Sequence, residues 1–173
     1  DRVRFVEAVT ADGHGSTVVL PLDAQRVQDA VAQTGARLVI VDPLVSVLDG
    51  SLDSHKDHSI RQALDPINRL ASSSGAAIIG LVHLNKGQGT DILDRVLGSR
   101  AFTAAARAVV ALVDDPDDDT GTRRLVVQGK ANLGPMGRDA LVISVTTAIV
   151  ETAEGDAEVG VVDVIGTRPI DLD

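Results

Sequence analysis

Two aliphatic runs, each ending in a polar residue, constrain this chain more than any other feature. Leu38-Val39-Ile40-Val41 ends in Asp42, and Ala77 to Val82 ends in His83. Neither run alternates with polar residues, which predicts strands buried on both faces, as parallel strands are. Between them Ser54 opens a stretch with Ile60, Leu64, Ile67 and Ala71 on one helical face, closed by Ser73-Ser74-Gly75. Pro66 lies inside it and predicts a kink, because proline deletes one backbone bond. Strand, helix and strand of these lengths make a βαβ unit with a right-handed crossover. If the strands are neighbours, Asp42 and His83 emerge at the same carboxyl edge, where α/β sheets place their ligands.

Val3 to Val9 and Thr17 to Leu20 read as short strands around the turn Asp12-Gly13-His14-Gly15. Asp23 is the expected cap of a helix carrying Val27, Ala30 and Val31, and Gly35 is its stop. After the glycine-containing stretch Gly87 to Gly98, a short helix near Phe102 to Ala106 precedes a third apolar run, Ala108 to Val113. Asp114 to Gly121 reads as a solvent-facing hairpin turn, since it lacks the Asp-x-Asp-x-Asp-Gly spacing of a calcium loop. Leu125 to Val127, Leu141 to Val145 and Val159 to Ile165 then read as strands without helices between them. The fold class is α/β: a mostly parallel sheet flanked by helices, extended by antiparallel C-terminal strands. It is read as one domain over 1–173, with an α/β part at 1–113 and a β-rich extension at 114–173.

A chain of 173 residues can bury a core, and without Trp or Tyr, and with only two Phe, that core is aliphatic. The same lack of aromatics argues against a platform for stacking nucleobases. The formal charge of −9 predicts weak DNA binding by the chain alone, with a basic loop inside an assembled ring as the exception. Zero cysteines exclude disulfide and thiol chemistry and fit a cytoplasmic protein. No run reaches the roughly 20 apolar residues of a membrane span. No basic-then-apolar leader opens the chain, and Asp1 in place of Met leads to the expectation that a portion precedes it.

A carboxylate in the position of Asp42 holds Mg²⁺ in nucleotide-hydrolysing folds, usually through water. The plainer reading is an acid that begins the Asp42-Pro43 turn. His83 is placed to hydrogen-bond a γ-phosphate and report its loss, or to make an ordinary structural bond at a strand end. Asp53, His55, Asp57 and His58 have the composition of a metal site, but a solvated helix start capped by Ser54 is favoured. A hydrolase built on Asp42, His83 and Ser99 is a further alternative, without the Gly-x-Ser-x-Gly elbow such enzymes use.

One ordered set of segments resembles a known family: Leu38 to Leu44, Arg61 to Ile67, Leu70-Ala71, Gly75, His83-Leu-Asn-Lys86, Gly98-Ser99, Ala106-Arg107 and Lys130-Ala-Asn-Leu133. It is similar to the RecA-like, AAA-type P-loop ATPases related to RepA-type replicative helicases, over roughly Arg2 to Ile143. Order and spacing carry the likeness; no single motif does. The resemblance implies ATP and Mg²⁺ as ligands, with Asp42 as the Walker B acid and His83 as the phosphate sensor. It implies a loop facing the channel of a homo-hexameric ring, with Lys86, Arg95 and Arg100 toward single-stranded DNA. Lys130 and Arg107, and less so Arg123 or Arg124, are the candidates for a finger reaching the neighbouring subunit's nucleotide.

One departure weighs as much. The chain contains no Gly-x-x-x-x-Gly-Lys-Ser/Thr: Gly13-His-Gly-Ser-Thr17 lacks the lysine, and Gly80 to Lys86 has the wrong spacing. In relatives that loop and the catalytic glutamate precede the strand corresponding to Val3 to Val9, so both are expected upstream of Asp1. The expectation is a C-terminal portion of a DNA replication or mobilisation motor, inactive in ATP hydrolysis alone. The alternative is a binding or assembly module with the same fold and no phosphate loop.

Overall fold

The computed structural model describes residues 2–9, 15–49, 57–83 and 100–170. They fall into two compact units, Asp1–Ala105 and Ala106–Asp173.

In the first unit β1 (Ala8–Val9) pairs antiparallel with β2 (Gly15–Ser16). The expected strand Val3 to Val9 thus shrinks to Ala8–Val9, and the one expected at Thr17 to Leu20 does not form, β2 lying just before it at Gly15–Ser16. An alternating apolar pattern makes a strand only where a ladder partner takes its backbone groups, and Arg2 to Glu7 form no ladder. Leu20, almost wholly buried, makes instead a single parallel bridge to Leu48.

Helix α1 spans Ala24–Thr34. Asp23 precedes it without capping it: its carboxylate accepts the Val19 N–H at 2.8 Å and pairs with Arg26 at 3.2 Å. The preceding turn has taken the acceptor that the first helical turn was expected to use. Gly35 ends α1 as expected, at φ 63°, a conformation glycine adopts without a Cβ penalty, with its N–H donated to Val31.

Strands β3 (Leu38–Val41) and β4 (Ala77–Gly80) run parallel, in register from Leu38 opposite Ala77 to Val41 opposite Gly80. A 3-10 turn at Leu44–Val47 and helix α2 (Asp57–Ser74) lie between them in sequence. Val39 and Ile78 pack on Val27 and Val31 of α1 and Leu70 of α2. Because both helices cover that one face, Leu38, Ile40, Ile79 and Leu81 stay exposed on the other. Burial of these strands on both faces is therefore corrected for the described residues.

The N-terminal half of α2 has a separate task. Ile60 and Leu64 form a core with Ala101 and Phe102 of α3 (Arg100–Ala105), against which Leu44 and Leu48 pack. One helix thereby ties the 3-10 turn after Asp42 to α3. Pro66 lies inside α2, as the sequence predicts.

The second unit is a four-stranded antiparallel sheet in the order β5 (Ala108–Asp114), β6 (Arg123–Ala131), β7 (Asp139–Thr152) and β8 (Gly155–Pro169). The α/β class with C-terminal antiparallel strands holds. The third apolar run, β5, pairs with β6. The acidic turn is not wholly solvent-facing. Asp115 has a side chain 1% exposed, bonded at 3.2 Å to Arg123 and 3.1 Å to Arg168. Two guanidiniums from distant strands compensate a carboxylate that burial alone would disfavour. Among the described residues no helix is long and apolar enough to cross a membrane.

Candidate functional site

Asp42 follows directly on Val41, the last residue of β3, and is exposed. His83 follows β4 by three residues and is exposed too. Since β3 and β4 are paired and parallel, both residues leave the sheet at its carboxyl edge, on adjoining strands.

The backbone ladder does not stop where the strands are drawn to end. Leu81 donates its N–H to the Val41 carbonyl at 2.9 Å, and Leu44 donates to the Leu81 carbonyl at 2.8 Å. The segment after Asp42 thus folds back onto the segment leading to His83. Gly80 makes the approach possible: a Cβ there would lie 2.8 Å from Leu44 Cδ2 and 3.3 Å from Leu44 Cγ. Sequence reasoning passed over this pair. Its one signal was a glycine inside an apolar β run, which often marks close backbone approach.

The arrangement places a carboxylate and an imidazole on adjoining strands at one rim. An exposed carboxylate can hold a hydrated cation, and an imidazole can donate to or accept from an anionic oxygen. Among the described residues no group of three or more His, Cys, Asp or Glu is placed to hold a metal ion, the Asp42 and His83 rim included. His58 is exposed in the first turn of α2, while Asp53 and His55 lie outside the described residues.

Of the expected DNA-facing residues, Lys86 and Arg95 lie outside the described residues, as does Ser99. Arg100 begins α3, and only its backbone is described. The two finger candidates belong to the second unit, at one corner of its sheet. Lys130 lies opposite Val109 and donates from Nζ to the Ala106 carbonyl at 2.9 Å. Arg107 is exposed, and its carbonyl accepts the Asn132 N–H at 2.9 Å. Arg123 and Arg124 are engaged in the acidic turn: Arg123 with Asp115, and Arg124 with Asp114 at 3.1 Å.

A βαβ unit with an acid and an imidazole at the carboxyl edge of its parallel strands is the architecture of a nucleotide-binding α/β domain. The chain matches the AAA domain family over residues 1–89, just over half of its length, and belongs to this family of P-loop ATPases. The matched span holds β3, β4, Asp42 and His83 and stops before Lys130 and Arg107. No curated protein matches the chain at a significant level. Members of the family generally bind ATP with Mg²⁺.

Proposed function

We propose that these 173 residues carry the Walker B and sensor side of an ATP-driven motor acting on single-stranded DNA, similar to RepA-type replicative helicases. The observation that supports this is the shared edge of Asp42 and His83 on adjoining parallel strands. Asp42 would hold Mg²⁺ through its water shell, and the ion would supply charge compensation to the nucleotide's phosphates. His83 hydrogen-bonds the γ-phosphate and couples its loss to the segment that follows. Lys130 or Arg107 reaches a neighbouring subunit's nucleotide in a cytoplasmic homo-hexameric ring, and Lys86, Arg95 and Arg100 face DNA. A phosphate-holding loop must come from outside these residues, because they contain no Gly-x-x-x-x-Gly-Lys-Ser/Thr.

The test is ATP turnover. The 173-residue chain by itself hydrolyses no ATP above background. Joined to a segment bearing the phosphate loop, it hydrolyses ATP, and Asp42→Ala lowers kcat by at least about 100-fold, as loss of a group stabilising transition-state charge does. Turnover retained within twofold by Asp42→Ala removes the assignment. The missing motif also favours a second reading, an assembly module that never binds nucleotide. That module would show no turnover even with the phosphate loop joined.

A further inference from the structure

The outer half of the β7–β8 hairpin stands apart from the rest of its sheet. β6 pairs with β7 only from Leu141 to Ser144, with one more bond from the Val145 N–H to Thr122. From Thr146 opposite Val161 to Thr152 opposite Gly155, β7 and β8 have only each other among the described residues. A two-stranded ribbon is marginal in water by itself. This one also exposes large aliphatic side chains, Ile149 at 69% and Val162 at 60%.

Its two faces differ. Side chains alternate along each strand, so Ala148, Val150, Ala157 and Val159 share one face, which carries no charge in the ribbon. Glu151, Asp156 and Glu158 share the other with Ile149. No Lys or Arg occurs between Asp139 and Thr167. Among the described residues β8 is the last strand of its sheet, so every second residue offers its backbone N–H and C=O outward. Neither proline nor a bulge blunts this edge within the ribbon, since Pro169 lies at the far end of β8 and the β7–β8 bulge falls at Val142/Ile143; the acids Asp156 and Glu158 are the charges that guard it.

We propose that the free edge of β8 between Gly155 and Val162 receives a strand from a partner protein in which Lys or Arg alternates with aliphatic residues. Backbone pairing supplies the ladder, as in other strand-addition complexes. Parity then puts the partner's aliphatic residues beside Ala157 and Val159, and its cations beside Asp156 and Glu158, with Glu151 one strand further in on the same face. The uniformly acidic ribbon repels nucleic acid and anionic lipid, and it repels the same ribbon of a second copy. This site is independent of the nucleotide reading, since it lies wholly within β7 and β8.

The probe is a short peptide alternating lysine and valine, compared with an isomer in which the lysines are grouped at one end. Both carry the same charge, so long-range attraction to a chain of charge −9 is matched. Added to the 173-residue chain, the alternating peptide is expected to slow amide hydrogen exchange within Gly155–Val162. The grouped isomer is expected to bind about tenfold more weakly without that protection, and Asp156→Lys with Glu158→Lys to weaken the alternating peptide by about tenfold or more. Both substituted positions are exposed, and an unchanged thermal midpoint shows that the variant folds. Equal binding of the two peptides, or protection confined to other segments, overturns the proposal. So does concentration-dependent protection of β8 without peptide, which assigns the edge to a second copy.

Discussion

Asp115 sits in a run of acids, yet its carboxylate is held between Arg123 and Arg168, with the Arg168 guanidinium also on Asp117. Removing it leaves two cations facing a site built for an anion. Asp115→Ala is expected to cost about 2 to 4 kcal/mol in urea unfolding, below the fully buried figure because both arginines reach solvent. Exposed Asp119→Ala should stay within about 0.5 kcal/mol. Asp118 behaves differently again. The Thr120 hydroxyl and the Arg123 and Thr120 N–H groups donate to it, lowering its pKa from 3.8 to about 2. A depressed carboxylate pKa favours the folded state above the unfolded value, and that gain disappears as pH falls through the folded value. The thermal midpoint of the native chain should therefore exceed that of Asp118→Ala by a constant amount from pH 7 to near 4. The difference should close between about pH 4 and 2. The part played by Arg168 was not legible locally, because Arg168 lies 51 residues from Asp117 in sequence.

At the scale of elements, β3, β4, α1 and α2 were readable because their signals are short-range. β-branched runs mark the strands, apolar spacing marks the helices, and Gly35 and Gly75 end helices at φ 63° and 68°. What was not readable was which faces the helices would cover. That depends on Val27, Val31 and Leu70 all choosing the Val39 and Ile78 side, a tertiary outcome. The contact between Leu44 and Gly80 is tertiary in the same sense, and it joins the turn after Asp42 to the strand before His83. Gly80→Val should destabilise by about 1 to 3 kcal/mol through overpacking. Leu44→Ala in the same chain should recover part of that loss, giving a double-mutant coupling above about 0.5 kcal/mol in chemical denaturation. Additive losses would mean the two residues do not share the space.

Across the whole molecule, the family match over residues 1–89 takes in the parallel pair β3 and β4 that the sequence marks most clearly. The antiparallel unit was legible as strands, but the 14-residue length of β7 and the 15-residue length of β8 were not. Their outer halves are rich in small and acidic residues, which propensity alone does not extend into strand. The nucleotide reading rests on the rim shared by Asp42 and His83, and the chain's lack of cysteine makes that rim directly measurable. Cysteines placed at both positions, D42C with H83C, accept a pair of nitroxide spin labels. Neighbouring parallel strands put the two spins within about 20 Å, close enough for dipolar broadening of the frozen-solution spectrum. Broadening that vanishes in either single-cysteine chain is the result the account predicts. A doubly labelled spectrum equal to the sum of the two single ones would contradict it.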